Sequence, residues 1–360
     1  MNDKEKFHKR IELALKKRLK KYVSLNKIPV LITQQEDVFH LPENCKILLL
    51  RQDRIGDVLF SVPTLRALRN KYQAGRIDII LSSKNYGVSN AVNKFVNKIW
   101  IYDKEIISIS RLIRQIRKEN YDIVVDMFDS PSTTSSFFTK YLRIPLILGI
   151  DKENRNSYTH VVPLKDKQSV YVVERIANLL TAFGIDPSEI DLSLEYEITD
   201  EDKNKADIRM GAKTKPIRLG INLSGSSNAR YWGKENYIHF IRELIKRYDN
   251  IEIVIFSTLV FSGISKDICK KTGVSQAPLT SKVHDYALLL STCDIIFSPD
   301  TAAVHFASAW KKPCIALYLL NSGEAPMPWH QFKSLKSKGG NLSDISVDEA
   351  VQAFDELMKN

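Results

Sequence analysis

The residues best placed to do chemistry begin with the polar turn Arg51-Gln52-Asp53-Arg54-Ile55-Gly56 and the Asp57 that follows it. A carboxylate such as Asp57 can take a proton from a hydroxyl within hydrogen-bond reach, which is general-base work. It can equally serve as a helix cap, accepting a bond from a free backbone N–H, or do both. A second group stands far downstream, in the loop that holds Ser224, Gly225, Ser226, Ser227 and Arg230. Hydroxyls, glycine-exposed N–H groups and a planar cation suit phosphate oxygens. The loop lacks the GxxxxGK[ST] spacing of a Walker loop, and serines in plain turn positions fit it as well. A third group is Ser298-Pro299-Asp300-Thr301-Ala302-Ala303-Val304-His305. Asp300 or Thr301 can cap a helix starting at Ala302, whose dipole favours an anion at Thr301, and the small residues at 302 and 303 permit close approach. An aspartate beside a diphosphate is unfavourable unless it orients an N–H, binds a hydroxyl or only caps. His305, one turn in, reads by itself as a core or surface histidine before it reads as a ligand.

Such residues need rigid elements behind them. Residues 47–50 form a short continuous apolar run, the pattern of a strand buried on both faces. Val58, Leu59, Val62, Leu65 and Leu68 then recur at helical spacing, with Pro63 near the first turn, where a missing N–H costs least. Strand, glycine-containing turn and helix put Asp57 at a helix N-terminus on the carboxyl edge of a parallel sheet, where open α/β sheets bind ligands. Further strands are predicted at 77–81, 98–102, 121–126 and 144–150, with helices at 106–119, 137–142 and 170–183. Residues 151–170 read as irregular. A charged, weakly periodic stretch over 186–215 marks a domain boundary. A second series follows, with strands at 218–223, 251–257, 295–297 and 314–319 and helices at 233–248, 285–293, 302–310 and 347–358. This alternation predicts two doubly wound α/β halves with a cleft between them. The divisions are a basic helix and linker over 1–42, an N-terminal domain over 43–200, a C-terminal domain over 216–345 and a closing helix over 346–360.

Composition narrows the classes. Hydrophobic residues make up 44% and charged residues 26% of 360, ordinary values for two globular domains. No apolar run reaches the ~18 residues of a membrane span, and the N-terminus lacks the apolar core of a signal peptide. Cys45, Cys269, Cys293 and Cys314 show no CxxC spacing and read as reduced core residues, which points to the cytoplasm. The net charge of +11 is uneven: residues 1–28 hold ten lysines and arginines against three acidic residues. Phe7, Ile11, Leu15, Leu19, Tyr22 and Val23 recur there at helical spacing. Two readings fit equally: a basic helix lying on an anionic membrane surface, or a helix packing its apolar stripe on the body. The basic residues are not interleaved with aromatics in a nucleic-acid-binding pattern, so no nucleic acid partner is expected. GxGxxG is missing after every predicted strand, which disfavours a dinucleotide-dependent dehydrogenase.

Three segments together resemble glycosyltransferase family 9, the bacterial ADP-heptose:lipopolysaccharide heptosyltransferases. They are RQDRIGDVLFSVPTLRALR (51–69), INLSGSSNARYWGKENY (221–237) and SPDTAAVHFASAWKKPCIALY (298–318), and the likeness covers roughly residues 45–320. The resemblance implies the GT-B fold, two Rossmann-like domains facing across a cleft, with the acceptor on the first and the nucleotide sugar mainly on the second. It implies Asp57 as the catalytic base, with Gly56 before it among the substrate-binding residues. Ser224, Ser226 and their neighbour Ser227 fall in the donor diphosphate loop, and Arg230 where a basic residue binds the same group. Asp300, Thr301 and Ala302 match the family's DTG segment, and His305 its following histidine. The chain departs from the family at Ala302, where glycine is usual and a Cβ would be strained if φ had to be positive. The implied reaction is inverting transfer of a heptose from ADP-heptose to a lipopolysaccharide core. No cofactor is expected, and no metal, since no DxD triplet stands at a comparable strand end. The expected place is the cytoplasm, with residues 1–28 as a route to the inner face of the inner membrane. The same residues also fit another nucleotide-sugar donor, a protein acceptor, or a GT-B-like membrane-surface protein without turnover.

Overall fold

The computed structural model describes residues 28–33, 38–103, 105–225, 227–320 and 331–359. The predicted N-terminal basic helix and Ser226 lie outside the described residues, Ile28 apart. The chain divides into two compact units, residues 1–192 and 193–360.

The first unit holds strands β1 (Val30–Leu31), β2 (Lys46–Leu50), β3 (Arg76–Ser82), β4 (Lys98–Tyr102), β5 (Ile123–Asp126), β6 (Leu146–Ile150) and β7 (His160–Val162). They form one sheet, ordered β1-β7-β6-β5-β2-β3-β4, with every pairing parallel. Its helices are α1 (Ile55–Phe60), α2 (Val62–Lys71), α3 (Ile106–Arg117), α4 (Thr133–Leu142) and α5 (Val172–Ala177). Ile47, Leu48, Leu49 and Leu50 have no exposed surface. Leu48 and Leu50 pack with Ile80, Trp100, Val124 and Phe138, while Ile47 and Leu49 point to the opposite face, as a period of two requires. That double burial is why the run is apolar throughout rather than alternating.

The first unit differs from the sequence expectation at its outer strands and in one helix. β1 and β7 fall in stretches read as linker and as irregular loop, yet they pair with each other, Val30 opposite His160. Two or three residues are too few to show a period, and pairing onto β6 and then β7 rather than pattern makes them strands. The helix after β2 is two helices, interrupted at Ser61. Pro63 lacks an N–H and its ring would press on the carbonyl of residue 59, so the ladder stops and restarts with Pro63 in the first turn of α2.

The second unit holds β8 (Ile217–Asn222), β9 (Ile251–Phe256), β10 (Ser275–Gln276), β11 (Ile295–Pro299), β12 (Cys314–Tyr318) and β13 (Phe332–Lys336). They form a second parallel sheet, ordered β10-β9-β8-β11-β12-β13. Its helices are α6 (Asp200–Met210), α7 (Lys234–Arg247), α8 (Ser262–Thr272), α9 (Val283–Ser291), α10 (Ala302–Ala309) and α11 (Val347–Met358). α6 escapes the sequence reading because Ala206 is the one buried residue along it, too little for an apolar stripe to show. α8, β10 and β13 are also additions to the predicted set. Strand order reverses between β8 and β11 here, and between β2 and β5 in the first sheet, so each unit has one switch point at its carboxyl edge. All four cysteines are free. No helix among the described residues is long and apolar enough to cross a membrane.

Candidate functional site

In the first unit the turn after β2 lies at the switch point. α1 starts at Ile55, two residues earlier than its apolar pattern suggests, so Arg54 occupies the N-cap position and Asp57 is the third helical residue. Asp57 Oδ2 accepts a 3.3 Å hydrogen bond from the Arg54 N–H, closing the first turn from inside. The other oxygen, Oδ1, is 4.0 Å from Arg51 Nη2, and the side chain keeps 26% of its surface exposed. The carboxylate therefore caps the turn and keeps one oxygen accessible. Gly56, one residue before it, is half-buried and adds no side chain beside the carboxylate.

Arg51 makes the turn rigid, a role the sequence reading left unassigned. Its side chain is only 2% exposed. Nε donates to the Asp57 carbonyl at 2.7 Å, and Nη1 donates to the Met127 carbonyl at 2.7 Å and to Asp53 Oδ2 at 3.3 Å. The guanidinium thus ties the turn after β2 to the loop after β5, the two sides of the switch point. A buried network fixes that second loop. Asp126 Oδ2 accepts from the Tyr158 hydroxyl at 2.5 Å and from Lys152 Nζ at 3.3 Å, and Lys152 also donates to the Phe128 carbonyl. Burial presses the Lys152 ammonium below its ordinary range, and the Asp126 charge opposes that shift. The one available sequence signal was a charged residue at each strand end, Arg51 after β2 and Asp126 closing β5.

In the second unit the two predicted loops come together at the other switch point. Asn222, a polar residue ending an apolar strand, donates through Nδ2 to Ser298 Oγ at 3.0 Å and to Thr301 Oγ1 at 3.2 Å. Its Oδ1 accepts from the Ser224 N–H at 3.2 Å. Ser224 Oγ in turn accepts from the Thr258 N–H at 2.9 Å, bringing in the loop after β9. Thr301 is the N-cap of α10, its Oγ1 accepting from the Ala303 N–H at 3.4 Å. Arg230 Nη1 donates to the Asp300 carbonyl at 2.9 Å and to its Oδ2 at 2.5 Å. Asp300 is therefore ion-paired with the cation beside it, which offsets the carboxylate's charge at this edge.

Local geometry explains the loop sequence. A Cβ on Gly225 would strike the Arg230 carbonyl, so glycine lets the loop fold back and present the arginine. Two residues beyond, Trp232 is fully buried, packs against Phe297 of β11 with ring centroids 5.2 Å apart, and donates Nε1–H to the Ile345 carbonyl at 2.8 Å. Gly233 then starts α7 at φ +106, a conformation L side chains avoid. Ser227 is exposed, its carbonyl accepting from the Arg230 N–H at 3.0 Å. Ala302 opens α10 without strain: among the described non-glycine residues, positive φ occurs at Asn120, Arg143 and Lys311 alone. His305 stands in the first turn of α10, half-buried. Asn222 and Thr258 are the residues that sequence reasoning missed here.

Each arrangement has a clear chemical capacity. The first unit presents a fixed carboxylate at a sheet edge. The second presents serine and threonine hydroxyls, a helix N-terminus and an arginine at one edge, a combination suited to a diphosphate.

Known proteins with these features bear on identity. Residues 109–334, well over half the chain, match glycosyltransferase family 9 (heptosyltransferase). Lipopolysaccharide heptosyltransferase 3 of Escherichia coli is 23% identical over 308 residues, covering 76% of this chain and 83% of that one. A family 9 glycosyl transferase from Veillonella parvula DSM 2008 superposes with a TM-score of 0.76 at 17% identity, covering 90% and 99% of the two chains. The E. coli ADP-heptose lps heptosyltransferase II superposes with a TM-score of 0.70 at 19% identity, covering 87% and 98%. The chain therefore belongs to glycosyltransferase family 9, and is a glycosyltransferase of the GT-B fold.

Proposed function

We propose that this enzyme moves a heptose from ADP-heptose to a lipopolysaccharide core acceptor, with inversion at the anomeric carbon and without a metal. The observation that carries the proposal is the edge of the second sheet, where Arg230, paired with Asp300, meets the Thr301-capped start of α10. A leaving diphosphate needs charge stabilisation, and a helix N-terminus with a fixed arginine supplies it. Asp57 takes the proton of the acceptor hydroxyl as that oxygen attacks the anomeric carbon, opposite the departing ADP. The printed names of the relatives, lipopolysaccharide and ADP-heptose heptosyltransferases, support this choice of donor and acceptor.

The test of the donor is transfer by the purified protein, with ADP-heptose compared against other nucleotide sugars on heptose-deficient lipopolysaccharide. Consumption of another nucleotide sugar in preference to ADP-heptose would replace the proposed donor. The same assay in excess chelator should run at an unchanged rate. A collapse restored by Mn²⁺ or Mg²⁺ would refute metal independence.

The acceptor is a membrane glycolipid, and the basic segment over residues 1–28 suits an anionic bilayer surface. Flotation with anionic liposomes should carry the full chain upward and leave behind a chain lacking residues 1–27. The deletion stops short of Val30 because that residue pairs with β7. Equal flotation of the two would end the membrane reading.

A further inference from the structure

Besides the Asp57 turn, the carboxyl edge of the first sheet carries a feature that the proposed mechanism leaves unused. A hollow of about 290 Å³ opens where the loop after β5, the start of α4 and the loop after β6 meet, lined by Pro131, Ser132, Thr133, Ser136, Glu153 and Asn154. At ~30 Å³ per water it has room for roughly ten waters, or for one sugar ring. Asn154 is only 8% exposed, and its hydrogen bonds fix which way the amide faces. Tyr158 gives its one hydroxyl hydrogen to Asp126 at 2.5 Å, and Ser136 gives its own to the Ser132 carbonyl at 3.0 Å. Both hydroxyl oxygens can therefore only accept, and Asn154 Nδ2 donates to them at 2.9 and 2.8 Å. Oδ1, on the other branch of the amide, is buried and has no donor.

The start of α4 supplies complementary groups. Ser132 caps it, Oγ accepting from the Ser135 N–H at 3.1 Å, which leaves the Ser132 O–H to donate. The N–H groups of Thr133 and Thr134 have no acceptor within the helix. Charge then decides the class of ligand. No cation is among the lining residues, and Glu153 sets a carboxylate there. Nearby cations are engaged elsewhere, Lys152 with Asp126 at 3.3 Å, Arg155 with Asp151 at 3.0 Å and Arg175 with Asp129 at 2.7 Å. A phosphate would meet a like charge and a bare carbonyl oxygen. Sugar hydroxyls donate to both and accept from the helix start.

We propose that this hollow is a subsite for a neutral, hydroxyl-bearing sugar ring of the acceptor, read by Asn154, Glu153 and the first turn of α4. The inference rests on the reading of the enzyme as a transferase to a saccharide acceptor. One ring hydroxyl donates to Asn154 Oδ1 and gives the bare oxygen its missing partner. A second donates to the Glu153 carboxylate, and hydroxyl oxygens accept from Ser132 and the helix N–H groups. The placement suits the reaction. β5 separates β6 from β2 in the sheet, so at ~4.8 Å per strand the loop bearing Asn154 stands on the order of 10 Å to one side of the Asp57 turn. Arg51, whose Nε holds the Asp57 carbonyl, also holds the Met127 carbonyl at the root of the loop that runs on to Ser132. A saccharide seated in the hollow is thereby registered against the base, one ring held while a hydroxyl of its neighbour meets Asp57.

Two variants test the subsite. Asn154→Leu removes the bare oxygen, and Thr133→Tyr fills the hollow from the helix side while leaving the Asp126–Tyr158 bond in place. The probe is the deacylated saccharide of heptose-deficient lipopolysaccharide, titrated calorimetrically into the full chain without donor. The wild-type protein should bind it, and each variant should weaken binding and raise the acceptor KM by about tenfold or more, the worth of a good hydrogen bond to a ligand. ADP affinity and the donor KM should hold, because the donor groups belong to the second unit. Excess inorganic phosphate should not displace the saccharide. If Asn154→Leu fails to fold, since Nδ2 also supports Tyr158, Thr133→Tyr carries the test alone. Unchanged saccharide binding in Thr133→Tyr would overturn the subsite and leave the transferase reading standing. Displacement by phosphate would make the hollow an anion site and overturn the sugar assignment, and failure of the wild-type chain to bind the saccharide would overturn it too. Binding that the variants lose, with no transfer from ADP-heptose by the wild type, would instead overturn the proposed donor and leave the subsite standing.

Discussion

Asp57→Asn is expected to keep its donor affinity and lose turnover by ~100-fold or more, the usual scale of acid–base catalysis. The substitution isolates proton transfer from folding. An asparagine carbonyl can still accept the Arg54 N–H that now bonds Asp57 Oδ2, so the first turn of α1 stays closed. Arg51 reaches the backbone carbonyl of residue 57 rather than depending on its side chain, so the clamp to the β5 loop also survives. What disappears is the ability to take a proton. Steady-state kinetics with calorimetric titration of the donor checks both halves of the expectation. Turnover near the wild-type rate would reduce Asp57 to a helix cap.

Arg230→Ala is expected to weaken donor binding by roughly 10- to 100-fold, the worth of a charge-assisted hydrogen bond of about 1.5–3 kcal/mol. Two effects add. The diphosphate loses a cation, and Asp300 loses the partner that bonds its Oδ2 at 2.5 Å, which leaves an uncompensated carboxylate at the anion site. Trp232, anchored to Phe297 and Ile345, holds the rest of the loop in place, so the fold should not be lost. Nucleotide titration and the donor KM measure the change. Unaltered affinity and kinetics would remove the loop from the donor site.

The parts of the molecule legible in sequence are those whose pattern is local. The buried run over 47–50, the glycine before Asp57 and the threonine before α10 each announce an element or its start within a few residues. The limits appear where the deciding partner is distant. β7 is a strand because it finds β6, and β1 because it finds β7, and no period of two or three residues can say so. α1 begins at Ile55 because Asp57 closes the turn onto Arg54 from the third position, a choice the apolar spacing does not record. Arg51 and Asp53 read as an ordinary polar turn until the β2–β5 neighbourhood places Met127 beside them. The loops around Ser224 and Thr301 are each visible alone. Their union depends on β8 lying next to β11, which lets Asn222 bond both Ser298 and Thr301.

The central claim is inverting heptosyl transfer, with Asp57 serving a sugar whose diphosphate is held by Arg230 and the start of α10. The most direct measurement is the product itself: heptose-deficient lipopolysaccharide incubated with ADP-heptose and the enzyme, then analysed by mass spectrometry and by NMR of the new glycosidic bond. The account predicts one added heptose, an equal amount of ADP released, and an anomeric configuration opposite to that of the donor. Retained configuration, or no transfer from ADP-heptose while another nucleotide sugar is consumed, would contradict it.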